Sequence, residues 1–503
     1  MNSYLEHVRG LKTRYPCIAQ FLSDWERYLP AGQLTSRCGV LEFIQGRQPE
    51  FLDLSDLAVL HDYLENIDPA APCRNRLFIL EDLDEVSVEA LGSALQIDPL
   101  VLADQLFAYH FAANTTVPRR ALPSLTDPSR SFTLRYYELR QTANDRVYNR
   151  RTYARASRLI EKWQGLSLSG RRGLRVDVVR HNVSFWCKDG LPGEREPTAG
   201  AWTGILFVDP PVGSCAAGRD LHYILAKNGE SGPWRQHTES SKPYRSGYND
   251  FRLWKPNGPL LAPNRQSIFD DIVFYWLHAE NHEIDAVFDS CVNTTLFVQR
   301  IVACHWYSLL DLHLATLSAI DLTSKEKRSA QGKVTNTTDW REELDYYNDR
   351  LSLLGTLQRR IMWYKQETIL NLERLGFGPH PPSAVSITPM MMPSSLRAAG
   401  HDLQNILYEL DRHESRVDNL VGIVTDSMNL SSAMRSLHDA RLGLHLSIAA
   451  AIFFPITLVA ALFSMADDYM PGEKKFWIPW AVAAPLVAFL IFLIWRTYRS
   501  PGR

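Results

Sequence analysis

The chain has 503 residues, with 54 Lys and Arg against 56 Asp and Glu, so its formal net charge is -2. That balance offers no electrostatic drive toward a polyanion, and nucleic acid is excluded as an expected partner. A mean hydropathy of -0.20 suits a soluble globular body carrying a small membrane-embedded part. Residues 1–15 hold no apolar run of signal-peptide type, and the acids Glu6, Asp24 and Glu26 argue against a transit peptide, so no cleaved targeting signal is expected. The cysteines at 17, 38, 73, 187, 215, 291 and 304 show no Cys-x-x-Cys spacing and no paired rhythm, and read as reduced thiols.

Residues 1–265 read as an α/β domain. Short β-branched or aromatic runs predict strands at 39–45, 76–80 and 132–139, with helices between. The segment 141–175 carries Arg146, Arg150, Arg151, Arg155, Arg158, Arg171, Arg172 and Arg175. It reads as a solvated helix face rather than a nucleic-acid patch, because aromatic stacking residues are sparse within it. Strands follow at 174–186 and 202–208, the second ending in Asp209-Pro210-Pro211. A polar, Gly- and Pro-rich insertion near 227–266 carries no fold signal.

The region 266–393 reads as helical, with helices over 267–288, 294–322 and 340–375 and linkers near 323–339 and 376–393. His278 and His282 sit at i and i+4, on one helix face, as two metal-ligating imidazoles would. With Asp270 and Asp271 they form the candidate regulatory ion site. The simpler reading is a capped, solvated helix face, since Glu280 occupies the wrong place for His-Glu-x-x-His. No phosphate loop, nucleophile elbow or other catalytic spacing is present, so no enzyme activity and no cofactor are expected.

Residues 394–441 read as one long stalk helix. Leu403, Leu410, Val417 and Val424 repeat at seven, as a self-associating seam requires. Ser431, His438 and His445 continue the series as polar residues, which either line a wet pore or meet a neighbouring helix pair. Two apolar runs then follow, 442–463 and 476–495, without Asp, Glu, Lys or Arg, each long enough to cross a bilayer of about 30 Å. A loop at 464–475 joins them and a basic tail, 496–503, closes the chain. Arg435 and Arg441 before the hairpin, and Arg496, Arg499 and Arg503 after it, place both termini on the cytosolic side of an integral membrane protein. The sequons at Asn114, Asn182, Asn293, Asn336 and Asn429 then stay unmodified.

The stretch from Phe454 to Pro471 resembles the first transmembrane helix and signature loop of CorA-type magnesium transporters. Pro455 and Thr457 match that family's Pro-x-Thr, and Met465, Tyr469, Met470 and Pro471 fall in register with its Gly-Met-Asn and Tyr-Met-Pro. Here Gly-Met-Asn reads Ser464-Met465-Ala466. In the family the Asn ring holds a hydrated divalent ion at the outer mouth, and alanine brings no oxygen. Asp467 and Asp468 either substitute as acceptors or solvate the turn. More loosely, the helix ending at Asp98-Pro99-Leu100 and the Asp209-Pro210 turn resemble elements of large-domain members of the family. The resemblance implies a funnel-shaped homopentamer in a lipid bilayer, transporting Mg2+ or another divalent cation. The first helix would line the pore, with Thr457, Pro455, His438 and His445 along it, and the second, bearing Trp477, Trp480 and Trp495, would face lipid. Loss of the Asn leaves a second possibility, a non-conducting membrane-anchored sensor or scaffold.

Overall fold

The computed structural model describes residues 3–15, 18, 22, 36–67, 75–106, 127–142, 150–153, 158–163, 175–190, 201–211, 216–218, 241–252, 261–331, 339–378, 393–463, 474–475 and 477–498. The chain divides into two compact units, Met1–Lys327 with Ser352–Leu420, and Arg328–Leu351 with Val421–Arg503.

The first unit is built on a ten-stranded mixed sheet. Its strands are β1 (Arg37–Phe43), β2 (Glu50–Asp53), β3 (Asn75–Glu81), β4 (Ser131–Thr142), β5 (Arg150–Tyr153), β6 (Arg158–Lys162), β7 (Arg175–Asp189), β8 (Trp202–Val208), β9 (Ala216–Gly218) and β10 (Ser241–Pro243). They run in the order β2-β1-β3-β8-β7-β6-β5-β9, with β4 paired to β7 and β10 to β4. β3 and β8 are parallel neighbours, with Phe78 opposite Ile205. Both are continuous apolar runs rather than alternating ones, because helices cover each face of the sheet.

On one face lie α1 (Tyr4–Gly10), α2 (Leu57–Glu65), α3 (Glu85–Leu95) and α4 (Pro99–Leu106). Phe78, Leu80, Ile205 and Phe207 pack there against Val8, Leu60, Leu91 and Leu102. Asp84 caps α3 by accepting from the Val86 and Ser87 amides at 2.9 and 2.7 Å. The helix stops at Gln96, whose φ of 55° is left-handed, and Pro99 then opens α4, where no N–H is needed.

The other face carries α5 (Ile268–Leu277), α6 (Asn281–Asp289) and α7 (Leu296–Gln331). Phe43 meets Trp276 edge-on at 5.0 Å, and Trp276 meets Phe297 at 4.7 Å. The two buried indoles are satisfied by carbonyls, Trp202 donating to Val287 and Trp276 to Thr294, each at 3.2 Å. Gly39 is required by close approach, since a Cβ there would lie 2.4 Å from the Phe51 ring.

α8 (Asp339–Arg374) and α9 (Ser394–Phe463) complete the helical layer of this unit with their 352–374 and 394–420 parts. Side chains of α8 cap the open edge of β4, where backbone groups would otherwise be left unmet. Asn371 accepts from the Arg135 amide at 3.0 Å and donates to its carbonyl at 2.7 Å, and Arg374 donates to the Thr133 carbonyl at 3.0 Å. The second unit holds the remainder of α9 and α10 (Trp477–Tyr498).

Three readings from the sequence change. The arginine-rich segment is not helical where it is described: Arg150 pairs with Glu161 in the β5–β6 hairpin. The helix expected over 267–288 is two helices, because Glu280 caps α6 in a reciprocal capping box with Glu283. Cys187 on β7 and Cys291 stand paired as a disulfide, where unpaired thiols were expected, whereas Cys38 and Cys304 are free.

Candidate functional site

Among the described residues, two places bear on function. The first is a cavity of about 20 Å³ in the first unit, lined by Tyr136, Glu138, His181, Asp209, Asp271 and His305 among others. The pairing of β4 with β7 sets Tyr136 opposite His181, and their rings stack at 5.0 Å. His305 from α7 stacks on Tyr136 at 5.1 Å. His181 Nε2 meets Glu138 at 2.9 Å, and Arg140 lies 3.3 Å from the same carboxylate. Asp209, in the Asp-Pro-Pro turn, accepts from the Asn182 amide at 2.8 Å and from Gln105 at 2.9 Å.

Each shift in this cluster has a physical cause. Burial lowers His305 to about 4, against the pull of Glu138, so it is neutral at pH 7. Burial raises Asp271 to about 6, although the Arg265 amide and the Tyr248 hydroxyl both donate to it at 2.9 Å. Burial also works against the charge on Glu138, yet His181 and Arg140 hold it below the usual carboxylate range. The space admits one water and not a substrate. The cluster is a packed polar network.

Of the candidate ion ligands, only Asp271 lines this cavity. Asp270 is paired with Arg37 at 2.8 Å. The exposed His278 ring bonds the Phe274 carbonyl at 2.8 Å, and His282 is exposed, 3.4 Å from Glu280. The structure therefore does not bring Asp270, Asp271, His278 and His282 together. Among the described residues no group of three or more His, Cys, Asp or Glu side chains is placed to hold a metal ion.

The second place is the far end of α9. This helix runs unbroken for 70 residues, and its final turns are apolar and largely exposed. By length and composition it can cross a membrane, and the described apolar stretch of α10 is the shorter Trp477–Phe492. His438 and His445 are exposed, and Pro455 is buried within α9. Thr457 is exposed, and its hydroxyl bonds the Phe453 and Phe454 carbonyls at 3.1 and 2.9 Å. Pro455 removes the amide donor that would meet the Ala451 carbonyl, and the Thr457 hydroxyl, two residues on, donates instead to the Phe453 and Phe454 carbonyls. Ser464, Met465, Ala466, Asp467, Asp468, Tyr469, Met470 and Pro471 lie outside the described residues.

The seven-residue series splits. Leu403, Leu410, Val417 and Val424 are buried within this single chain. Polar contacts fix the first unit's share of that packing: Asn405 to Tyr307 at 2.7 Å, Lys365 to Glu414 at 2.6 Å and Arg416 to Ser318 at 3.1 Å. That part of the seam is taken up by α7 and α8 and is not free for a copy.

Sequence reasoning missed a further feature. Glu367 of α8 pairs with Arg135 at 3.2 Å and with Arg180, all three side chains buried. A charged residue inside an otherwise strand-like run, as at Arg135, Glu138 and Arg180, was its one visible sign.

The fold has distant likenesses among solved structures. The CorA magnesium transporter from Methanocaldococcus jannaschii is 7% identical with a TM-score of 0.35, over 94% of this chain and 99% of that one. The full-length CmaX protein is 10% identical with a TM-score of 0.37, over 93% of this chain and 99% of that one. No protein-family model and no curated protein matches the chain.

Proposed function

We propose that the chain is a CorA-like membrane protein that assembles with copies of itself in a lipid bilayer and passes a divalent cation, Mg2+ first among candidates, along the final turns of α9. The observation that carries this reading is the unbroken helix from Ser394 to Phe463, whose last turns hold Pro455 and Thr457 at the spacing that leads into Met465 and Tyr469-Met470-Pro471. One hairpin cannot enclose water, so a path requires several copies around an axis; a homopentamer is what the resemblance implies. Both termini then lie on the cytosolic side, with α10 the second span.

Thr457 suits an ion path. Its hydroxyl proton is directed at its own helix, so the oxygen lone pairs remain for a cation or its hydration water. Asp467 and Asp468 at the mouth would concentrate cations and replace the missing Asn oxygen. Ala466 supports a second reading, in which the frame is kept and conduction is lost, leaving a sensor or scaffold.

The test is Mg2+ entry into liposomes holding the purified chain and a trapped indicator, with Thr457→Val, Asp467→Asn/Asp468→Asn and Ala466→Asn alongside. Native flux that falls in the first two variants is the expected result. A silent native chain with flux in Ala466→Asn favours the scaffold. Silence in both removes the transport reading.

A further inference from the structure

The helical layer of the first unit holds a polar pair outside the sites above. His313 of α7 is 0% exposed, and neither ring nitrogen has a hydrogen-bond partner. His413 of α9 faces it with ring centroids 6.3 Å apart, and its Nδ1 also lacks a partner. A neutral imidazole carries one donor and one acceptor, and leaving them unmet in the interior is costly. The walls are apolar: Trp163 lies edge-on at 4.7 Å and Tyr364 of α8 at 5.6 Å. The Trp163 N–H is directed away, to Thr316 at 3.2 Å.

The charges around the pair come from three helices. From α8, Arg360 lies 4.8 Å over the Trp163 ring. From α9, Glu409, Arg412 and Arg416 act on His413, as does Asp311 from α7. The charges acting on His313, from His413 and Arg360, are both positive. A proton on His313 therefore enters apolar walls near the Arg360 cation.

We propose that the His313–His413 contact is an acid-labile joint between α7 and α9, closed when both rings are neutral and opened when His313 takes up a proton. Burial, then His413 and Arg360, hold His313 well below the usual histidine range, and burial lowers His413 as well. The sign follows. The open form binds more protons below about pH 6.5, so the closed contact is fully stable above that pH and weakens as pH falls through the window beneath it. The joint does not depend on the transport reading.

Hydrogen exchange read by mass spectrometry on the full chain in detergent, at pH 7.5 and 5.5 and corrected for intrinsic rate, tests it. In the native chain, protection over residues 309–317 and 409–417 should fall about tenfold, while the sheet core at 77–80 keeps its protection. In His313→Phe, and in His313→Leu should the larger ring not fit, protection should fall markedly less, since only His413 then remains to take up a proton. Constant protection in the native chain overturns the joint without any variant. The same loss in His313→Phe, or loss that includes residues 77–80, overturns it too.

Discussion

One helix, α9, carries two regions that differ in what covers them. Leu403, Leu410 and Val417 on its first half are between 0% and 2% exposed in the single chain. Leu430, Met434 and Leu437 on its second half are between 57% and 63% exposed. Residue type does not account for this, because leucines occupy both halves. The first half is met by α7 and α8, whereas Leu430, Met434 and Leu437 are left outside the core. Apolar surface left exposed in a row calls for another covering, either a copy of the chain or lipid. The expectation of one self-associating seam along the whole stalk thus narrows to the stretch beyond Met428.

The largest effect that sharpens this contrast lies under the first half. Glu367 balances the buried guanidiniums of Arg135 and Arg180. Burial works against its charge, but Arg180 and Arg135 keep its carboxyl below the usual range, and burial lowers Arg135 to about 9. Glu367→Gln removes the carboxylate that the buried Arg135 and Arg180 share, and breaking a buried pair in this way costs about 3–5 kcal/mol. Denaturant unfolding in detergent should show that loss; a change near zero would mean that the guanidiniums reach water. Next comes Leu410→Ala, which removes a fully buried side chain and should cost about 2–5 kcal/mol.

Strands β1, β3, β4, β7 and β8 were legible because their apolar and β-branched runs show burial without any knowledge of partners. α9 was legible for the opposite reason, a periodicity sustained over many turns. What stayed hidden depends on residues far apart in the sequence. β5 and β6 hold Arg150, Arg151 and Arg158, whose run shows no strand pattern until β5 is seen paired with β6. The break between α5 and α6 lacks Gly or Pro, although Glu280 with Glu283 was a readable start signal. Glu138 and His181 are 43 residues apart, and Arg135 and Glu367 are 232 apart, so no local pattern announces either pair. The stretch from Ser464 to Pro471 was read through its spacing alone, and it lies outside the described residues.

The smallest effect on unfolding tests the second half directly. Leu437 is 60% exposed, so Leu437→Ala should change the stability of the isolated chain by less than about 0.5 kcal/mol. Its larger consequence should appear between copies. A cysteine introduced at His438, which neighbours it and lies on the polar series, should form intermolecular disulfides on mild oxidation in a bilayer, and one introduced at Leu410 should not. Adding Leu437→Ala to the His438→Cys chain should lower the yield if that face meets a copy, because the packed surface beside the cross-link is lost. An unchanged yield would assign Leu437 to lipid. Intermolecular cross-linking at Leu410→Cys would mean that α9 leaves α7 and α8 in the membrane, and the contrast between its halves would then belong to the isolated chain alone.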